Sequence, residues 1–195
     1  MLRIGILALQ GAFIEHQYIL NALDVDTTQV RLPGHLENLD GLIIPGGEST
    51  TIGKLAVEFG LLDELRSFGK DHAIWGTCAG AIFLSKDIDR PQPLLNLMDI
   101  AVERNAFGRQ ISSFETDLDV PELISVDKNE HPFHAVFIRA PLIQSIGEDV
   151  QIIASLPDGV IVAAKQRHWL ATVFHPELTN DDRFHRYFLE MVKSN

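Results

Sequence analysis

A chain of 195 residues with 46% hydrophobic content is long enough to bury an adequate core, and residues 1–195 are expected to form a single domain. With 16 basic against 27 acidic residues the net charge is −11, which argues against a nucleic-acid backbone or an anionic membrane surface as main partner and favours a small molecule or another protein. The lone cysteine excludes an internal disulfide, and a reactive thiol is best kept in a reducing compartment, so a cytoplasmic location is expected.

Residues 3–9 are a continuous apolar run, broken too early by Gln10-Gly11 to span a membrane and lacking a small-residue cleavage site; a first strand covered on both faces is expected. Phe13, Tyr18, Ile19, Ala22 and Leu23 are spaced for one face of a helix. Residues 28–32, closed by Pro33-Gly34, and residues 41–44, closed by Pro45-Gly46-Gly47, read as the next two strands, and helices are predicted over 52–60 and 61–68. This alternation predicts an α/β fold with a parallel sheet. Beyond residue 90, short alternating or β-branched runs at 100–103, 114–120, 135–138, 150–156 and 160–164 predict a β-rich, partly antiparallel second half. A buried strand at 170–174 and a closing helix over 181–192, with Phe184, Phe188 and Val192 on one face, complete the chain.

Cys78 lies between the apolar run 73–75 and a second one that reads as a helix beginning with small residues, within Gly76-Thr77-Cys78-Ala79-Gly80. Gly-x-nucleophile-x-Gly is the pattern of a sharp strand-to-helix turn that lifts a nucleophile above a sheet, where the helix N-terminus favours the thiolate. A buried structural cysteine is the plainer alternative. Of eight histidines, His175 directly follows a predicted strand and precedes Pro176-Glu177, so Glu177 is placed to orient the imidazole as the acid of a nucleophile-His-acid triad. Pro45-Gly46-Gly47-Glu48-Ser49-Thr50 is a glycine-rich loop between strand and helix. A carboxylate inside it, and no following Lys at P-loop spacing, count against a phosphate cradle. Glu48 suits a substrate ammonium group, the Gly47 N–H an oxyanion near Cys78; a plain turn with a helix cap stays open. Arg104, Arg109 and Arg139 sit beside predicted strands, where a planar guanidinium fits a carboxylate, or simply forms a surface ion pair.

Gly-Thr-Cys78-Ala-Gly, Phe-His175-Pro-Glu177 and Pro-Gly-Gly-Glu48-Ser together resemble the class I, or triad, glutamine amidotransferases. Leu9-Gln10-Gly11, residues 45–51, 102–105, 107–110, 136–141, 162–166 and 174–179 are, in order, similar to blocks of the family of glutaminase subunits of pyridoxal 5′-phosphate synthase. The resemblance implies a flavodoxin-like domain with additional antiparallel strands that hydrolyses L-glutamine to glutamate and ammonia and supplies the ammonia to a synthase subunit within a large hetero-oligomer. It implies Cys78 as nucleophile, His175 and Glu177 as its triad partners, and Gly47, Glu48, Ser49, Arg104, Ile138 and Arg139 around glutamine. Gly47 and Ala79 supply the oxyanion donors in this reading, and Gln10 is a candidate activation relay. No metal or organic cofactor is expected. Ala8 stands where this family has glycine. A glutaminase subunit of another synthase, such as the one building the imidazole ring of histidine, and a non-catalytic binding protein of the same fold remain as alternatives.

Overall fold

The computed structural model describes residues 1–88, 91–104, 113–129 and 131–195. In chain order these form β1 (Arg3–Leu7), α1 (Phe13–Ala22), β2 (Asp26–Val30), β3 (Gly41–Ile44), α2 (Ser49–Glu58), α3 (Leu62–Asp71), β4 (Ala73–Thr77), α4 (Ala79–Leu84) and β5 (Ser85–Ile88). There follow β6 (Met98–Glu103), β7 (Ser113–Leu118), β8 (Phe133–Ile138), β9 (Leu142–Ile146), β10 (Gln151–Ser155), β11 (Ile161–Gln166), β12 (Trp169–Thr172) and α5 (Arg183–Ser194).

The main sheet runs β2-β1-β3-β4-β12-β11-β9-β6-β5, with β10 added to β11, and β7 pairs β8 separately. From β2 to β12 every pairing is parallel. This is the flavodoxin-like strand order, with α1 connecting β1 to β2 and α2 with α3 connecting β3 to β4. β3, β4 and β12 are buried at every position, as strands covered on both faces must be. β11, β9 and β6 continue the sheet antiparallel, giving the mixed character expected of the second half. Ala8, despite its extra methyl, is fully buried, and its N–H donates to the Val30 carbonyl at 2.8 Å.

The predicted α1 face is met only in part, with Phe13 and Leu23 packed against the core. Tyr18 is 71% exposed and Ala22 is exposed, whereas His16 and Leu20 are the buried residues of the helix. The inward stripe contains a polar ring, which an apolar pattern does not register. β5 and β9 carry too much polarity, Ser-Lys-Asp-Ile and Leu-Ile-Gln-Ser-Ile, to stand out as strands; pairing with β6 creates them. On α5 the expected Phe184, Phe188 and Val192 are buried, and Trp75 of β4 packs on Phe184 and Phe188 at ring-centroid distances of 6.3 and 5.7 Å. Asn105, Arg109 and the 107–110 block lie outside the described residues. Among the described residues no helix is long and apolar enough to cross a membrane.

Candidate active site

The carboxyl ends of β1, β3, β4 and β12 meet at one edge of the sheet, and the loops leaving them line a cleft of about 400 Å³. Open α/β sheets bind ligands at this edge, because neighbouring connections there diverge to opposite faces. Gln10, Gly47, Glu48, Ser49, Cys78, Ala79, Arg104, Ile138, Arg139 and His175 all line it. Glu177 is buried next to His175.

Cys78 occupies φ +48°, ψ −103° at the junction of β4 and α4. An L side chain rarely adopts this backbone, and its persistence requires the surroundings to hold it. They do so from two sides. The Cys78 N–H donates to the Thr172 carbonyl of β12 at 2.8 Å. On the other side α4 packs so closely that a Cβ at Gly80 would overlap the Ile44 carbonyl oxygen, and one at Gly76 the Gly80 carbonyl. Both flanking glycines are therefore steric requirements of the elbow.

His175 leaves β12 with its N–H donating to the Val136 carbonyl at 2.8 Å, and its Nδ1–H donates to Glu177 Oε1 at 2.7 Å. Burial pushes the imidazole pKa down, but hydrogen bonds to Cys78 and Glu177, with their negative charges, outweigh it and raise it to about 10. The imidazolium form is thus the resting partner of the sulfur. Cysteine, imidazole and carboxylate are joined in the sequence that nucleophilic acyl transfer needs.

Glu48 is the N-cap of α2. Its carboxylate accepts from Thr50 N–H (3.2 Å), Thr51 N–H (2.7 Å), Thr51 Oγ1 (2.7 Å) and Arg104 Nη2 (3.0 Å). Burial pushes this carboxyl up, and the Thr51 and Thr50 hydrogen bonds together overcome it, lowering its pKa to about 2. Arg104 also donates from Nη1 to Thr50 Oγ1 at 3.0 Å. The cap is therefore formed by a side chain that also lines the cleft. Ser49 is buried and donates from Oγ to Gln92 Oε1 at 3.3 Å. Arg139, exposed at φ +44° after β8, lines the cleft with Ile138.

The glycine loop is held from β1. The Ala12 N–H donates to the Gly46 carbonyl at 3.0 Å, and a trans peptide then directs the Gly47 N–H to the opposite side. Glu48 N–H donates to Gln10 Oε1 at 2.7 Å, and a Cβ at Gly47 would overlap that oxygen.

Residues 6–194 match the SNO glutamine amidotransferase family. The chain belongs to that family. It is 59% identical over 191 residues to pyridoxal 5′-phosphate synthase subunit PdxT of Herpetosiphon aurantiacus, covering 95% of this chain and 98% of that protein. The same subunit of Roseiflexus sp. is 54% identical, covering 96% and 99%. A solved structure described as a glutamine amidotransferase superposes with a TM-score of 0.89 at 49% identity, covering 97% of this chain and 98% of that one. PurLQS from Thermotoga maritima shares the fold, with a TM-score of 0.73 at 14% identity over 97% and 98% of the two chains.

In this SNO family member two further groups that the sequence did not single out adjoin the His175–Glu177 pair. His16 Nε2 lies 3.5 Å from Glu177 Oε2, and His16 Nδ1 lies 2.9 Å from His185 Nε2. Neither histidine follows a strand or precedes a Pro-Glu turn as His175 does, so only the packing of α1 and α5 around β4 brings them in.

Proposed function

We propose that this chain is a single glutaminase domain, residues 1–195, that works in the cytoplasm, hydrolyses L-glutamine to L-glutamate and ammonia, and passes the ammonia to a synthase subunit making pyridoxal 5′-phosphate. The observation that carries the reading is the His175–Glu177 pair facing a sulfur on a strained turn, within a cleft that presents opposite charges on Glu48 and Arg104. Relatives named as pyridoxal 5′-phosphate synthase subunits, matching nearly end to end, support the choice of synthase.

The Cys78 thiolate attacks the side-chain amide carbon of glutamine. Backbone N–H groups of Gly47 and Ala79 receive the oxyanion, each such donor contributing about 10²–10³ in rate. His175 gives its Nε2 proton to the leaving nitrogen, the C–N bond breaks, and ammonia departs from the thioester. The neutral imidazole then takes a proton from water as its oxygen attacks the thioester, and rupture of the C–S bond releases glutamate and restores the ion pair. Glu177 steadies the imidazolium in both halves. Glu48 faces the substrate ammonium, while Arg104 and Arg139 are placed for its carboxylate. The steps use only protein groups and water.

Glutamine hydrolysis and adduct mapping with a glutamine-like electrophile test this, in the presence of a pyridoxal 5′-phosphate synthase subunit. The expected adduct is on Cys78, and Cys78→Ala is expected to abolish hydrolysis. An adduct elsewhere, or an active Cys78→Ala variant, overturns the reading. Failure to co-purify with the synthase subunit overturns the assignment of the partner.

A further inference from the structure

Glu177 Oε1 is engaged by His175, but Oε2 is fully buried and has no hydrogen-bond partner within ordinary geometry among the described residues. An unpaired buried carboxylate oxygen is unfavourable unless a donor stands near. The group facing it is His16 Nε2 at 3.5 Å, from the buried face of α1. The same nitrogen is 3.4 Å from Oγ1 of Thr77, the residue before the nucleophile. On its far side His16 Nδ1 meets His185 Nε2 at 2.9 Å, and His185 Nδ1 is buried without a partner among the described residues.

Counting protons decides the direction of this chain. Burial first, then the charges of His185 and His175, hold the His16 pKa well below its ordinary value, and burial pushes His185 down to about 3, so both rings are neutral. Their short N···N contact needs one donor and one acceptor. If His16 donated from Nδ1, its Nε2 would turn a lone pair on the carboxylate, and His185 would bury an unpaired N–H. If His185 donates from Nε2, His16 must carry its proton on Nε2, facing Glu177 Oε2, and only a lone pair is left unpaired at His185 Nδ1. The second arrangement leaves no N–H facing away from an acceptor, since Thr77 Oγ1 at 3.4 Å and Glu177 Oε2 at 3.5 Å both lie before His16 Nε2. The titratable groups around His16 are His185 on α5 and His175 and Glu177 after β12, while β4 contributes uncharged Thr77 and Trp75, the latter edge-on at 5.6 Å.

Resting on the glutaminase reading, we propose that His16 is a positioning residue of the triad: its Nε2–H, set by the His185 hydrogen bond, restrains Glu177 Oε2 so that Oε1 stays on the His175 Nδ1–H. A neutral donor suits this task because it orients the carboxylate without cancelling the negative charge that stabilises the imidazolium. The 3.5 Å contact is long for a formed bond, as catalytic hydrogen bonds often are before substrate arrives.

The test compares the parent chain, His16→Leu and His16→Gln in complex with the synthase subunit, measuring kcat, KM and the pH profile of kcat/KM for glutamine. Gln carries a neutral donor where Nε2 was; Leu carries none. His16→Leu is expected to lower kcat about 10–100-fold with KM nearly unchanged, and to move the alkaline limb, where His175 loses its proton, to lower pH by about one unit. His16→Gln is expected to restore both to near parent values. Parent-like kcat and alkaline limb in His16→Leu overturn the proposal, as does equal loss in both variants with an unshifted limb, which marks a packing role. If His16→Leu does not fold, His185→Leu replaces it, since loss of the Nε2–H donor leaves the His16 tautomer unset; the same limb shift supports the proposal, and an unshifted limb overturns it. A parent complex inert toward glutamine removes the glutaminase reading itself, whereas an active parent with an indifferent His16 removes only this role.

Discussion

Gly46 stands against His175 so closely that a Cβ on residue 46 would overlap the imidazole Cε1, while lying 3.4 Å from the Cys78 Cβ. The glycine-rich loop is therefore part of the nucleophile–base geometry, and its first glycine leaves room for the base. Gly46→Ala is expected to displace the imidazole and lower glutamine turnover by about 10² or more, because misplacement by about 1 Å loses that much. Steady-state kinetics of the complex, with a thermal melt showing an intact fold, checks it. Activity within a few-fold of the parent would show that the ring has another place to go.

Glu48 caps α2, and in the proposed function it also faces the substrate ammonium; a variant separates the two roles. Glu48→Gln retains a cap acceptor but removes the charge opposite the ammonium, so KM for glutamine is expected to rise at least about tenfold with melting temperature nearly unchanged. An analogue without the α-amino group is expected to react equally with both proteins. If the parent turns over glutamine and that analogue alike, Glu48 has no part in recognition.

Gln10 accepts the Glu48 N–H and abuts Gly47, so it connects the end of β1 to the orientation of the oxyanion peptide. A partner pressing on that edge reaches the peptide through this amide. The isolated chain is expected to be a weak glutaminase that the synthase subunit stimulates, and Gln10→Ala is expected to lose most of that stimulation, by about 10² where one oxyanion donor is misdirected. Assays with and without the subunit decide it, and equal stimulation of both proteins refutes a relay.

Burial holds the His185 pKa at about 3 in the folded protein, far below its value of about 6.5 when unfolded. The unfolded chain therefore binds an extra proton as pH falls below about 6.5, and this contribution to stability, complete above about 6.5, is lost progressively as pH falls toward 3. His16, also depressed, acts in the same direction. Urea midpoints measured from pH 7 to pH 4 are expected to fall steeply, and less steeply for His185→Leu. Parallel slopes for the two proteins would show that other groups control acid unfolding.

The elbow, the His-Pro-Glu turn and the glycine loop were legible along the chain because each is local: strand, tight turn and reactive side chain occupy consecutive residues, and the turn chemistry dictates residue types. The continuous apolar runs of the first half likewise announced a parallel sheet with both faces covered, since no other environment accepts them. What the chain order did not reveal was set by contacts between distant segments. That Glu48 caps α2 was one of two readings its position allowed, but its pairing with Arg104, 56 residues away, could not be read along the chain. Polar β5 and β9 became strands only through pairing with β6. The α1 face was only partly legible because hydrophobic periodicity counts a histidine as outward, and His16 is inside only because β4, α5 and the turn after β12 enclose it and supply its partners. A buried polar group is tolerated when its hydrogen bonds are met, and those partners, His185 at 169 residues' separation among them, exist only once the tertiary structure has formed.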